Sequence, residues 1–256
     1  MAYAEVSGAR IWYQDSGGGG DAVVFLHAQT GTADSWELQV APIAAAGYRC
    51  ITYDRSDTGR SRPAAGADPV RDHARELLEL ADILGLSQFH LIGTAAGAMI
   101  ALDFARRWRG RLTSLVLASS IAGLHDDAFR HMASRLRLTE LENLPVEVRE
   151  VGPNYRASNA PGLERWMQIE ATTGHPPRTQ IGPFIERELH DLPVPVLVIT
   201  GEADLYAPPV LMERLAGHLS NSTFVSIRGA GHSAFWEVPD EWNRHVLEFL
   251  SQFSSR

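Results

Sequence analysis

The sequence predicts an α/β fold, a mainly parallel sheet with helices on both faces, interrupted in the middle of the chain by a helical insertion. Three observations predict it. Strand-like runs, among them Val23–Leu26, Phe89–Ile92 and Val194–Gly201, alternate with stretches of helical composition, the pattern of a buried parallel sheet. One of these runs passes straight into a helix through Gly93-Thr94-Ala95-Ala96-Gly97. From about Ala122 to Leu189 the strand rhythm stops and short amphipathic stretches, broken by prolines and glycines, take over.

Taken in order, Tyr3–Val6 and Ile11–Gln14 alternate and predict an antiparallel hairpin, and Gly17–Gly20 is a turn. Val23–Leu26 is a fully apolar strand followed by His27-Ala28-Gln29-Thr30-Gly31. Cys50–Asp54 is a further strand, and the loop Arg55–Ser61 follows it. There Asp54 and Ser61 are expected to hold backbone groups, a structural task. Phe89–Ile92 leads into Ala98–Ala105, whose apolar positions recur at helical spacing. The sharp turn between them holds residue 95 in a strained conformation. It needs Gly93 and Gly97, because a Cβ at either would strike the neighbouring strand or helix. The helix that starts there points its first N–H groups at residue 95, where negative charge is favoured.

The inserted stretch predicts helices over Asp126–Leu138, Glu140–Glu150, Gly162–Thr172 and Pro183–Leu189. After it, Val194–Gly201 is a buried strand followed by Glu202-Ala203-Asp204, with Pro208 closing the turn before a helix. One more helix and strand precede Gly229-Ala230-Gly231-His232-Ser233-Ala234-Phe235-Trp236-Glu237.

In combination these segments resemble the α/β-hydrolase superfamily, over about residues 20 to 120 and 193 to 250. The turn around Ala95 resembles the G-x-S-x-G nucleophile elbow, with alanine at the position of the serine. His27–Gly31 is similar to the family's H-G-x-x-G loop, with Ala28 for the first glycine. Tyr53–Ser61 resembles its D-x-R-G-x-G-x-S turn, with Ser56-Asp57 for Arg-Gly. The order elbow, Asp204, His232 is the order of that fold. The resemblance implies an eight-stranded, mostly parallel sheet, a core of residues 1–121 and 190–256, and a helical cap of residues 122–189. It implies catalytic positions at Ala95, Asp204 and His232, with an oxyanion hole made by the backbone N–H groups of Gln29 and Ala96. Phe129, Met132, Tyr155, Trp166 and Met167 of the insertion, with Trp236 after the histidine, are expected to line an apolar substrate pocket. Arg156 and Arg178 are weighed as contacts for an anionic group.

Bulk properties narrow the function classes. The chain has 256 residues and a formal net charge of −8, which argues against nucleic acid as a partner. All 23 basic residues are arginine, consistent with a GC-rich bacterial genome, and this excludes Schiff-base chemistry on a lysine. With no signal-like N-terminus and no long apolar run, a cytoplasmic protein acting on a small molecule and making no membrane contact is expected. The single Cys50 excludes an internal disulfide. His125, Asp126, Asp127 and His131 form the one cluster with metal-ligand chemistry, and the two aspartates fit a helix N-terminus better. No cofactor and no metal is required.

With a serine at 95, His232 would take its proton, the alkoxide would attack a carbonyl, and water would later release the acyl group. Alanine cannot do this. In a serine protease, loss of the nucleophile alone costs about a million-fold in turnover. Three readings follow: a serine-type hydrolase of a carboxylic ester or lactone, inactivated at Ala95; a hydrolase of carbon–carbon bonds in vinylogous diketones; and a non-hydrolytic protein using His232 as a lone base. Deliberate replacement of a serine is preferred over natural loss. A chain released from catalysis has no reason to keep a buried Asp–His pair.

Overall fold

The computed structural model describes residues 1–66, 71–121, 124, 126–136, 138–174, 176, 181 and 184–254. Its first strands are β1 (Ala2–Val6), β2 (Ala9–Asp15), β3 (Ala22–Leu26), β4 (Arg49–Tyr53) and the two-residue β5 (Arg62–Pro63). They are followed by β6 (Phe89–Thr94), β7 (Leu112–Ala118), β8 (Val196–Gly201) and β9 (Ser222–Ile227). All lie in one sheet, in the order β1-β2-β4-β3-β6-β7-β8-β9, with β5 added against β2. The β1–β2 hairpin and the β2–β4 and β2–β5 pairs are antiparallel; every other pair is parallel. The sheet thus has nine strands rather than the expected eight. The extra one is too short to show alternation in the sequence, and it ends in Pro63, which has no N–H to give a further neighbour.

Among the described residues the α-helices before the insertion are α1 (Glu37–Ala45), α2 (His73–Ile83) and α3 (Ala96–Arg107). Between β7 and β8 come α4 (Asp127–Leu136), α5 (Val146–Glu150), α6 (Pro153–Ser158), α7 (Ala160–Ala171) and α8 (Glu186–His190). After β8 come α9 (Pro209–Gly217), α10 (Ala234–Glu237) and α11 (Pro239–Leu250). Period-2 alternation sends neighbouring strand residues to opposite faces. Leu91, Leu115 and Val198 pack with α2, α3 and α9, whereas Ile92, Val116 and Ile199 pack with Trp36, Trp242 and Val246 on the other face. With both faces covered, β3, β6 and β8 are buried along their whole length, hence their near-continuous apolar runs.

The insertion is more broken than its composition predicts. The stretch expected as one helix over Glu140–Glu150 is a tight turn at Leu141–Asn143 and then α5, split by Pro145 in extended backbone. Helix α6, opened by Pro153, was not expected. The predicted start at Pro183 lies outside the described residues, and α8 covers Glu186–His190. Leu124 and Phe184 form an isolated parallel bridge, so the two ends of the insertion meet. Among the described residues no helix is long and apolar enough to cross a membrane.

Candidate active site

The turn from β6 into α3 places Ala95 at φ +50° and ψ −114°, a conformation L-residues rarely adopt. Its N–H donates to the Ala118 carbonyl at 2.9 Å, which ties the turn to β7. The flanking glycines explain how the chain turns so tightly. A Cβ on Gly93 would lie 2.5 Å from the Gly97 carbonyl oxygen, and one on Gly97 would lie 2.2 Å from that of Leu26. The Ala95 methyl lines a cavity of about 1420 Å³ that lies between the sheet's C-terminal edge and the insertion.

His232 lines the same cavity. Its Nδ1 is 2.8 and 2.9 Å from the two carboxylate oxygens of Asp204. The loops carrying the pair are pressed together at Gly201, where a Cβ would stand 2.1 Å from the Gly231 carbonyl oxygen. A hydrogen bond from Ala203 N–H to the Ala230 carbonyl adds to this. Asp204 is fully enclosed. Its Oδ1 accepts the N–H groups of Tyr206 and Ala207, both at 2.8 Å, and its Oδ2 accepts from the Thr200 hydroxyl at 3.1 Å. Burial alone would raise its pKa, but the His232 ring and these donors hold it below the usual carboxylate value. Burial would likewise lower the pKa of His232. The charges of Asp204 and Glu150 overcome that and push it up to about 9. With Nδ1 committed to Asp204, Nε2 is the ring atom left for chemistry.

Gln29 and Ala96 border the cavity beside Ala95, Ala96 in the first turn of α3. His27 does not reach it. Its Nδ1 meets the Ala28 carbonyl at 2.7 Å and its Nε2 accepts the Arg55 N–H at 3.2 Å, so it braces two loops from within. Burial holds its pKa well below 6.5, which keeps it neutral. Asp54 and Ser61 have the structural task expected of them. Asp54 accepts the N–H groups of Ala33 and Arg60, and the Ser61 hydroxyl donates to the Asp54 carbonyl.

The six residues expected to line the pocket do not line it. Phe129 is buried in the core shared by α4 and α9, and Met132 packs against that core. Trp166 and Trp236 belong to the other core, and Trp236 donates its indole N–H to the Gly162 carbonyl at 3.2 Å. Tyr155 sits with Trp236 on a separate shallow groove, and Met167 is 42% exposed. The physical reason is that these large apolar side chains on short amphipathic helices gain most by closing helix against core, which leaves other apolar residues, among them Met99, Leu136, Leu141 and Leu211, together with several polar groups, to face the cavity. Those groups include Ser119, Ser120, Arg149, Glu150 and Tyr206, none of which sequence reasoning singled out. Glu150 carried no motif signal. Tyr206, whose ring lies 4.8 Å from that of His232, followed Asp204 closely enough to have been noticed.

Of the other candidates, Arg156 gives its Nε to the Val151 carbonyl at 2.9 Å rather than facing the cavity, and Arg178 lies outside the described residues. His125 also lies outside them. Asp126 caps α4 by accepting the Ala128 N–H and pairs with Arg214 at 3.1 Å, while Asp127 pairs with Arg130. Among the described residues no group of three or more His, Cys, Asp or Glu side chains is arranged to hold a metal ion.

Residues 23–245 match the sequence model of the alpha/beta hydrolase family. The chain is 28% identical over 264 residues to the 2-hydroxy-6-oxononadienedioate/2-hydroxy-6-oxononatrienedioate hydrolase of Burkholderia vietnamiensis, covering 94% of this chain and 91% of that one. Among solved structures, a thermophilic esterase from Thermogutta terrifontis superposes with a TM-score of 0.80 at 23% identity, covering 99% of both chains. An enol-lactonase from Burkholderia xenovorans superposes with a TM-score of 0.77 at 22% identity, over 98% of this chain and all of the other, 100%. At those identities the two structures speak for the fold alone.

Proposed function

The chain belongs to the α/β hydrolase family, and on that premise we propose that its cavity binds the carbonyl of a small carboxylic ester or lactone. The observation that carries this is the meeting of three elements at one cavity: the strained Ala95 turn, the N-terminus of α3, and a His232 ring held by Asp204. In this reading a substrate carbonyl rests over Ala95, with its oxygen turned to the backbone N–H groups of Gln29 and Ala96. A hydroxyl at residue 95 would attack, and His232 would carry its proton to the leaving alcohol. Asp204 would fix the imidazole tautomer and its charge throughout. Ala95 closes this acyl-enzyme route while leaving the binding site whole. The insertion, residues 122–189, acts as the cap over a core of residues 1–121 and 190–256.

Restoring the hydroxyl tests the reading. Ala95→Ser is expected to hydrolyse p-nitrophenyl esters or members of a lactone panel and to be labelled covalently by a fluorophosphonate, while the Ala95 protein takes no label. A labelled revertant inert toward every ester and lactone would sink the proposal. A second reading, cleavage of a carbon–carbon bond in a vinylogous diketone, is favoured by the name of the Burkholderia vietnamiensis relative. A dienoate and a carboxylic acid released from a ring-cleavage substrate by the revertant would select it.

A further inference from the structure

Glu150 is the buried group that the acyl-enzyme scheme leaves without a task. It is the last residue of α5, 7% exposed, and it borders the cavity. Its Oε2 lies 3.7 Å from Nε2 of His232, the ring atom that Asp204 leaves open. Its position is imposed by the backbone, since its carbonyl accepts the N–H of Ser233, next to the histidine, at 2.8 Å. The Thr30 hydroxyl hydrogen-bonds the carboxyl group. The neighbouring Arg149 turns its guanidinium to Tyr206 Oη at 3.1 Å and to Glu142 at 3.4 Å. Enclosing a second carboxylate beside the Asp204–His232 pair costs stability, and such costs concentrate where chemistry is done.

We propose that Glu150 is the general base, and His232 the general acid, of a direct water-attack hydrolysis that needs no hydroxyl at residue 95. The proposal rests on the ester or lactone reading above. The 3.7 Å gap is too long for a good hydrogen bond, yet one water can touch both groups at about 2.8 Å. Ala95, Glu150 and His232 border one cavity, and an alanine at 95 brings no hydroxyl to compete with a water there. Glu150 takes a proton from the water as its oxygen bonds to the substrate carbonyl carbon. The oxyanion forms at the Gln29 and Ala96 N–H groups. Its collapse breaks the ester C–O bond, and the alkoxide takes the proton from Nε2 of the imidazolium. Glu150 then returns its proton to His232, so that one ester and one water give one acid and one alcohol, with both side chains restored.

The charge states agree with these roles. Burial works against a charged ring, but Asp204 and Glu150, with Glu237 further off, keep His232 protonated up to about pH 9, which suits an acid. Burial raises the Glu150 pKa and so strengthens it as a base. The nearby His232, Arg149 and Thr30 oppose that shift and Asp204 adds to it. The Tyr206 ring packs against the imidazole at 4.8 Å, tilted by 54°.

The test uses the full chain with Ala95 in place, p-nitrophenyl acetate and butyrate as probes, and thermal melts to confirm folding. The expected result is turnover above the buffer rate with no burst. Glu150→Gln lowers kcat by about 10²–10⁴-fold with KM held within about twofold. The unmodified protein, which needs no variant to fold, shows a bell-shaped kcat profile that falls on the alkaline side near pH 9. A flat profile, or a Glu150→Gln variant as fast as its parent, overturns the proposal. If Ala95→Ser hydrolyses the esters and the Ala95 protein does not, the water route falls and the ester reading stands. If neither turns over any ester or lactone, both fall together.

Discussion

Gly97 stands directly against the end of β3, so that a Cβ on it would lie 2.2 Å from the carbonyl oxygen of Leu26 and 2.7 Å from that of His27. Both neighbours are backbone, one ending the central strand β3 and the other directly following it, and neither can step aside. This contact, more than any side chain, sets where Ala95 stands relative to the Gln29 loop.

Gly97→Ala is therefore expected to lower stability by about 3 kcal/mol, since the extra methyl must push α3 off β3. Denaturant unfolding measures it. A loss below about 1 kcal/mol would mean that the turn is looser than its geometry indicates.

Stability is expected to fall as the medium turns alkaline. The His232 pKa is raised to about 9 in the folded chain from an ordinary 6.5, so its charged ring contributes stability that is complete below pH 6.5 and lost as pH rises through 9. Urea midpoints at pH 7 and pH 10 should differ more for the parent than for His232→Gln. Equal differences in the two proteins would contradict the charged pair.

Trp236 is 2% exposed and packs in the core, with its indole N–H on the Gly162 carbonyl. Trp236→Ala is expected to cost about 3–5 kcal/mol while leaving substrate KM within about twofold in an Ala95→Ser background. A large rise in KM at preserved stability would return Trp236 to the substrate site.

What was legible beforehand is local. The elbow needs two glycines four residues apart, and Gly93 and Gly97 stand at that spacing. Such turn chemistry is written in adjacent residues and survives reading without coordinates. The sheet was legible too, because strands covered on both faces must be apolar throughout. The pocket lining was not. Phe129 and Trp166 look the same in a sequence whether they face a ligand or a core, and only packing between α4, α7 and the sheet decides. The partner of Arg156 was equally out of reach of the sequence, being the Val151 carbonyl at the end of the preceding helix.

By itself the sequence determined the α/β architecture, through its apolar runs, and the alanine at the elbow, through adjacent turn residues, while the pairing of Asp204 with His232 came from the resemblance to the α/β-hydrolase family. Only the tertiary structure decided that Glu150 faces the open nitrogen of His232 and which side chains border the cavity. Those facts depend on how the end of α5 docks against the Ser233 loop, more than eighty positions away, and a long-range contact of that kind leaves no periodic mark in the chain.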